Sequence, residues 1–156
     1  MAFIQSSYGT PNAPGNFEAV IFEPGQGLVH YFRDNTKGQG WNKTAVISSL
    51  ATGSGCIIQS SFGTPDAPGN FEVVVLEGKN LVHYFRDNTP NKQTWSRTAV
   101  ITSSATGPGT IIQSSYSTPN APGNFEVIVP EGSHYVHYYR DNSKSGFPWN
   151  KTVNVN

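Results

Sequence analysis

Short runs of alternating apolar and polar residues succeed one another along this chain, separated by turn-forming residues. In its middle third, Phe71-Glu72-Val73-Val74-Val75-Leu76 is apolar on both faces after its glutamate, the pattern of a strand enclosed between two layers. Leu81 to Asp87 is more mixed, which predicts a strand further out, and Ser96 to Thr102 predicts another. A run from about Thr110 to Tyr116 supplies the leading strand of such a unit. Turn chemistry bounds each run. Glu77-Gly78-Lys79-Asn80 is a tight hairpin signal, and Thr64-Pro65-Asp66-Ala67-Pro68-Gly69 is a longer loop stiffened by its prolines.

The same set of runs occurs three times, with a period of about 54 residues. Ile4-Gln5-Ser6-Ser7 recurs from Ile58 and from Ile112, and Ala13-Pro14-Gly15-Asn16-Phe17-Glu18 recurs from Ala67 and from Ala121. Val29-His30-Tyr31-Phe32-Arg33-Asp34-Asn35 recurs from Val82 with the same order and from Val136 with Tyr139 for the phenylalanine. Trp41, Trp95 and Trp149 close the copies, which span roughly residues 4–57, 58–111 and 112–156. Length differences fall in turns, such as Pro24-Gly25-Gln26-Gly27 against Gly78-Lys79-Asn80. One repeat domain over residues 1–156 is therefore expected.

Composition narrows the class. Sixteen Gly and eleven Pro with few strong helix formers in succession point to an all-β chain of short strands. Ten basic side chains balance ten acidic ones, so no electrostatic footprint for nucleic acid is present. Cys56 stands alone, which rules out an intrachain disulfide and leaves it as a small apolar filler. No charged-then-apolar leader opens the chain, and no apolar run approaches the roughly 20 residues of a membrane helix. A soluble chain without membrane insertion is expected, with its compartment open.

Four strands per unit, repeated three times, fit two closed architectures. A β-trefoil takes its twelve strands from one chain, whereas a propeller needs about four to eight blades around an axis. Three blades then require a second chain, and a homodimer forming a six-bladed ring is the simplest solution. The strings Gly69-Asn70-Phe71-Glu72-Val73-Val74-Val75 and Leu81-Val82-His83-Tyr84-Phe85-Arg86-Asp87-Asn88, followed by Trp95 and Ile111-Ile112-Gln113-Ser114, resemble the repeat of the PLL-like β-propeller family. That resemblance covers all three copies and favours the propeller. It also implies a lectin, with sugar sites in clefts between blades.

The candidate site residues recur with the repeat: Glu18, Glu72 and Glu126; His30, His83 and His137; Tyr31, Tyr84 and Tyr138; Arg33, Arg86 and Arg140; Trp41, Trp95 and Trp149. No single asymmetric constellation of nucleophile and base stands out, so an enzyme is not expected. The three recurring histidines, one per copy, with His134 outside the pattern, give no reason to expect a metal or other cofactor. Each residue also has a plain structural reading. Arg33 and its equivalents can pair with the following Asp and Asn and cap a turn; the glutamates can accept hydrogen bonds; the histidines and tryptophans can pack.

Together the five types supply what a sugar asks for, an aromatic platform flanked by rigid donors and acceptors. Period-2 alternation puts Tyr31 and Arg33 on one face of their strand and His30 on the other, so only a cleft between two units can combine them. The expected function is a multivalent carbohydrate-binding protein whose ligands are glycans or monosaccharides. The alternative is a structural or protein-interaction propeller whose polar residues hold the units together. Differences between copies, such as Phe62 against Tyr8 and Tyr116, predict sites of unequal affinity.

Overall fold

The alternating runs form antiparallel strands throughout. A computed structural model describes residues 1–9, 12–38, 40–63 and 67–156, and no helix occurs among them. The first copy contributes β1 (Ala2–Gln5), β2 (Phe17–Glu23), β3 (Gly27–Arg33) and β4 (Trp41–Ser48). The second contributes β5 (Gly55–Gln59), β6 (Phe71–Glu77), β7 (Asn80–Arg86) and β8 (Trp95–Thr102). The third contributes β9 (Thr110–Gln113), β10 (Phe125–Glu131), β11 (His134–Arg140) and β12 (Trp149–Asn154). Each copy is its own four-stranded meander, with strands paired in chain order.

The hairpin expected at Glu77 to Asn80 is present, Glu77 pairing with Asn80 across Gly78-Lys79. Gly78 adopts φ 63°, a conformation that favours glycine. Thr64, Pro65 and Asp66 of the expected stiff loop lie outside the described residues. The leading strand of the third copy stops at Gln113 rather than Tyr116: Ser114 N still donates in register to Asn124 O, but Asn124 N donates to Tyr116 O, two residues out of step, and the ladder ends there.

The three sheets pack face to face, with β5 lying beside both β1 and β9. One face of the middle sheet, with Ile57, Phe71, Val73 and Tyr84, packs on Val20, Leu28 and Ile47 of the first. Its opposite face, with Val74, Leu81 and Ile101, packs on Ile111, Phe125, Val127 and Val136 of the third. Burial of each large side chain contributes roughly 1.5–3 kcal/mol, so these two seams are the core. Glycine permits their closeness. A β-carbon at Gly55 would stand 2.6 Å from Leu28 Cδ2, and one at Gly109 would stand 2.8 Å from Leu81 Cδ2.

This layering corrects the gradation expected from hydropathy. β7 is as enclosed as β6 from Leu81 to Tyr84, since the middle sheet is covered on both sides. Exposure rises at the fourth strand of each sheet instead. That strand carries bulges. His30 pairs with Ala45 and Tyr31 with Lys43, so Thr44 is an extra residue; Thr98 is its equivalent between Ala99 and Arg97.

Candidate inter-sheet clefts

Each such threonine points back across its sheet and completes a chain of hydrogen bonds whose histidine and glutamate are buried in the first two copies and partly exposed in the third. Thr44 Oγ1 lies 2.8 Å from His30 Nδ1, and His30 Nε2 lies 2.8 Å from Glu18 Oε2. Ser6 Oγ donates to the other oxygen, Glu18 Oε1, at 3.0 Å. Nε2 thus faces the carboxylate and Nδ1 the threonine hydroxyl, which also donates to His30 O at 3.1 Å. The second copy repeats the chain through Ser60, Glu72, His83 and Thr98 at 3.0, 2.8 and 2.8 Å. The third does so through Ser114, Glu126, His137 and Thr152 at 2.8, 2.9 and 2.8 Å.

The next sheet brings arginine and tryptophan to this chain. Arg86 Nε donates to Asn88 Oδ1 at 2.8 Å, and Asn88 in turn donates to Gly69 O at 2.7 Å. Its guanidinium lies over the rings of Phe71 and Tyr8, 4.6 and 5.3 Å from their centroids. Burial pulls the Arg86 pKa down while the charge of Glu18 opposes that shift. Arg140 is held in the same way by Asn142 at 2.6 Å, over Phe125 and Phe62, with Glu72 as the opposing charge. Of the Asp and Asn that follow each arginine, it is the Asn that Arg86 and Arg140 pair with. Asp34, Asp87 and Asp141 instead accept the backbone N–H of Thr36, Thr89 and Ser143 as turn caps.

Two equivalent clefts result. The first, of about 220 Å³, has Glu18 and Thr44 from one sheet and Arg86 and Trp95 from the next, with Tyr8 and Gln93 beside them. The second, of about 230 Å³, has Glu72 and Thr98 facing Arg140 and Trp149, with Phe62 and Phe147 in the places of Tyr8 and Gln93. Gln93 Nε2 donates to Tyr8 OH in the first, whereas Phe62 and Phe147 meet edge to face at 5.7 Å in the second. Each cleft draws on two sheets, but the tyrosine expected beside each arginine lines neither cleft. The indole N–H groups of Trp95 and Trp149 are enclosed without a hydrogen-bond acceptor.

The other candidate residues fall in three places. His30 and His83 are fully buried, edge-on to Trp95 and Trp149 at 5.5 and 5.7 Å, with both ring nitrogens occupied. Tyr31, Tyr84 and Tyr138 do not line the two clefts; their hydroxyls donate to Glu23, Glu77 and Glu131. Glu126 and His137 lie in an open trough of about 1030 Å³ on the third sheet, while Arg33 and Trp41 lie on the opposite, open face of the first. No group of three or more His, Cys, Asp or Glu side chains is placed to hold a metal ion among the described residues. Among those residues no helix is long and apolar enough to cross a membrane.

Tyr8, Phe62, Thr44 and Thr98 are cleft residues that site selection by chemical type leaves out. Recurrence at a fixed offset marks all four in the sequence, but only the bulge aims the threonines inward. Comparison with known proteins adds no assignment: no family model matches the chain, and no curated protein matches it.

Proposed function

We propose that this chain is a multivalent carbohydrate-binding protein whose sites are the clefts between successive repeats. One observation carries the reading. Two equivalent clefts, each with a carboxylate and a hydroxyl on one wall and a guanidinium and an indole on the other, recur at the repeat spacing. A sugar ring presents hydroxyl groups at its edge and weakly apolar C–H faces, which match those walls. At about 220 and 230 Å³ the clefts lie below the roughly 300–1,000 Å³ of drug-sized pockets, a size for one sugar unit rather than a long chain.

The sheets are taken as propeller blades with their first strands toward the axis. Three separate meanders support this over a trefoil, whose barrel pairs strands of neighbouring repeats. On this reading two chains close a six-bladed ring. The resemblance to PLL-like lectin repeats points the same way. Several weak sites on one rigid body then give avidity for a displayed glycan.

A structural or protein-interaction propeller is the competing reading, and the completeness of the Ser–Glu–His–Thr chains favours it. A glycan array combined with red-cell agglutination separates the two. Binding to defined glycans, abolished by the free monosaccharide, is expected. Absence of binding to any glycan overturns the proposal and leaves the repeated polar residues as ties between sheets.

A further inference from the structure

The face that each sheet turns toward the next repeat is covered twice within the chain and left open once. Val20 and Val74 are fully buried on it, while their counterpart Ile128 is 40% exposed and Tyr116, counterpart of Tyr8 and Phe62, is 80% exposed. The opposite face is open at the other end. Phe3 is 54% exposed where Ile57 and Ile111 are 2%, and Trp41 is exposed where Trp95 and Trp149 are partly buried. The two open faces are therefore the two halves of a seam that the chain already makes twice.

We infer that the open face of the third sheet receives the open face of the first sheet of a second copy, and that this contact builds a third ligand cleft per chain. The inference rests on the cleft reading proposed above. Its polar groups match as well as its apolar ones. Gln59 Oε1 accepts from Ser7 N at 2.7 Å and Gln113 Oε1 from Ser61 N at 2.8 Å, each across a seam. Gln5 is already held in the same pose, donating to Gly15 O at 3.3 Å as Gln59 donates to Gly69 O at 3.2 Å. The donor facing it in a third seam is Ser115 N. Glu77 and Glu131 each accept a hydroxyl from the preceding sheet, Ser48 and Thr102, both at 2.6 Å. Glu23 is the third such carboxylate, and Asn156 occupies the third donor position.

The cleft itself is present as two halves. The trough on the third sheet carries Tyr116, Glu126, Tyr139 and Thr152 at the positions of Tyr8, Glu18, Phe32 and Thr44, but no arginine or tryptophan. Arg33 and Trp41, the counterparts of Arg86 and Trp95, stand on the open face that the second copy presents. One corner differs: Tyr135 replaces Leu28 and Leu81, and Met1 replaces the glycines on which those leucines press. The faces are unlike, so the contact is head to tail, and two copies close it if each seam turns by one sixth of a ring.

Light scattering after size exclusion, at micromolar concentration and after dilution, reads the contact through twice the chain mass of 16.9 kDa. Calorimetric titration with the monosaccharide that competes best on the array reads the cleft. We expect a dimer with three sites per chain, and for Ile128→Arg a folded monomer, checked by circular dichroism, with two. A folded wild-type monomer with two sites per chain overturns the inference while upholding the lectin reading. A dimer with two sites per chain, or an open-ended filament, overturns it as well. A dimer that binds no sugar overturns the third ligand cleft together with the lectin reading, and upholds only the contact.

Discussion

Tryptophan and arginine could be picked out from the sequence because they recur; their roles could not, because these depend on the neighbouring sheet. Trp95 closes the first cleft and stands edge-on to buried His30, whereas nearby Lys92 is exposed and reaches Asp87 only at 3.8 Å. Truncating a buried tryptophan costs about 3–5 kcal/mol, and Trp95, being partly buried, belongs near the lower end. A surface charge change stays within roughly 0.5 kcal/mol. Trp95→Ala is therefore expected to lower the denaturation midpoint and weaken sugar binding, with Lys92→Ala close to wild type in both. Chemical denaturation and titration of the two variants check this; equal effects remove the tryptophans from the account. The histidines show the limit of reading by residue type. His83 has the chemistry of a ligand contact, yet Glu72 and Thr98 occupy both of its nitrogens.

Among elements, strand positions and the hairpin at Gly78 followed from alternation and turn residues, but the gradation of burial did not. Alternation reports which faces are apolar, and it took the layering of three sheets to enclose β7 as fully as β6. The bulges of β4 and β8 were likewise hidden, since an extra residue leaves no mark in a short polar run such as Ser96-Arg97-Thr98. Contacts between sheets also depend on ionisation. Burial acts to raise the Glu77 pKa, but hydrogen bonds from Ser48, Tyr84 and Arg97 outweigh it and hold the carboxyl below its ordinary value. Glu131 is lowered in the same sense by Thr102, Tyr138 and Lys151 against the effect of burial. A carboxyl lowered in the folded state adds stability above its unfolded value, near 4.3, and loses it as pH falls through the folded value. Melting temperature is expected to drop on acidification below about pH 4.5, and to drop less steeply in Glu77→Gln. A melting temperature that stays flat down to about pH 2.5 contradicts this role for the seam carboxylates.

At the scale of the molecule, repetition marks the three units plainly in the sequence, and the seam between units explains what repetition is for. A cleft takes its acid and hydroxyl from one sheet and its guanidinium and indole from the next, so no unit forms a cleft alone. The proposed ligand role was less legible, because the same side chains serve as internal ties. Position of a bound sugar decides between these uses most directly. A crystal structure of the chain soaked with the monosaccharide that competes on the array is expected to show it between Glu18 and Arg86, against Trp95, and again between Glu72 and Arg140, against Trp149. Sugar found only on the loops, or on a single sheet away from both seams, contradicts the account.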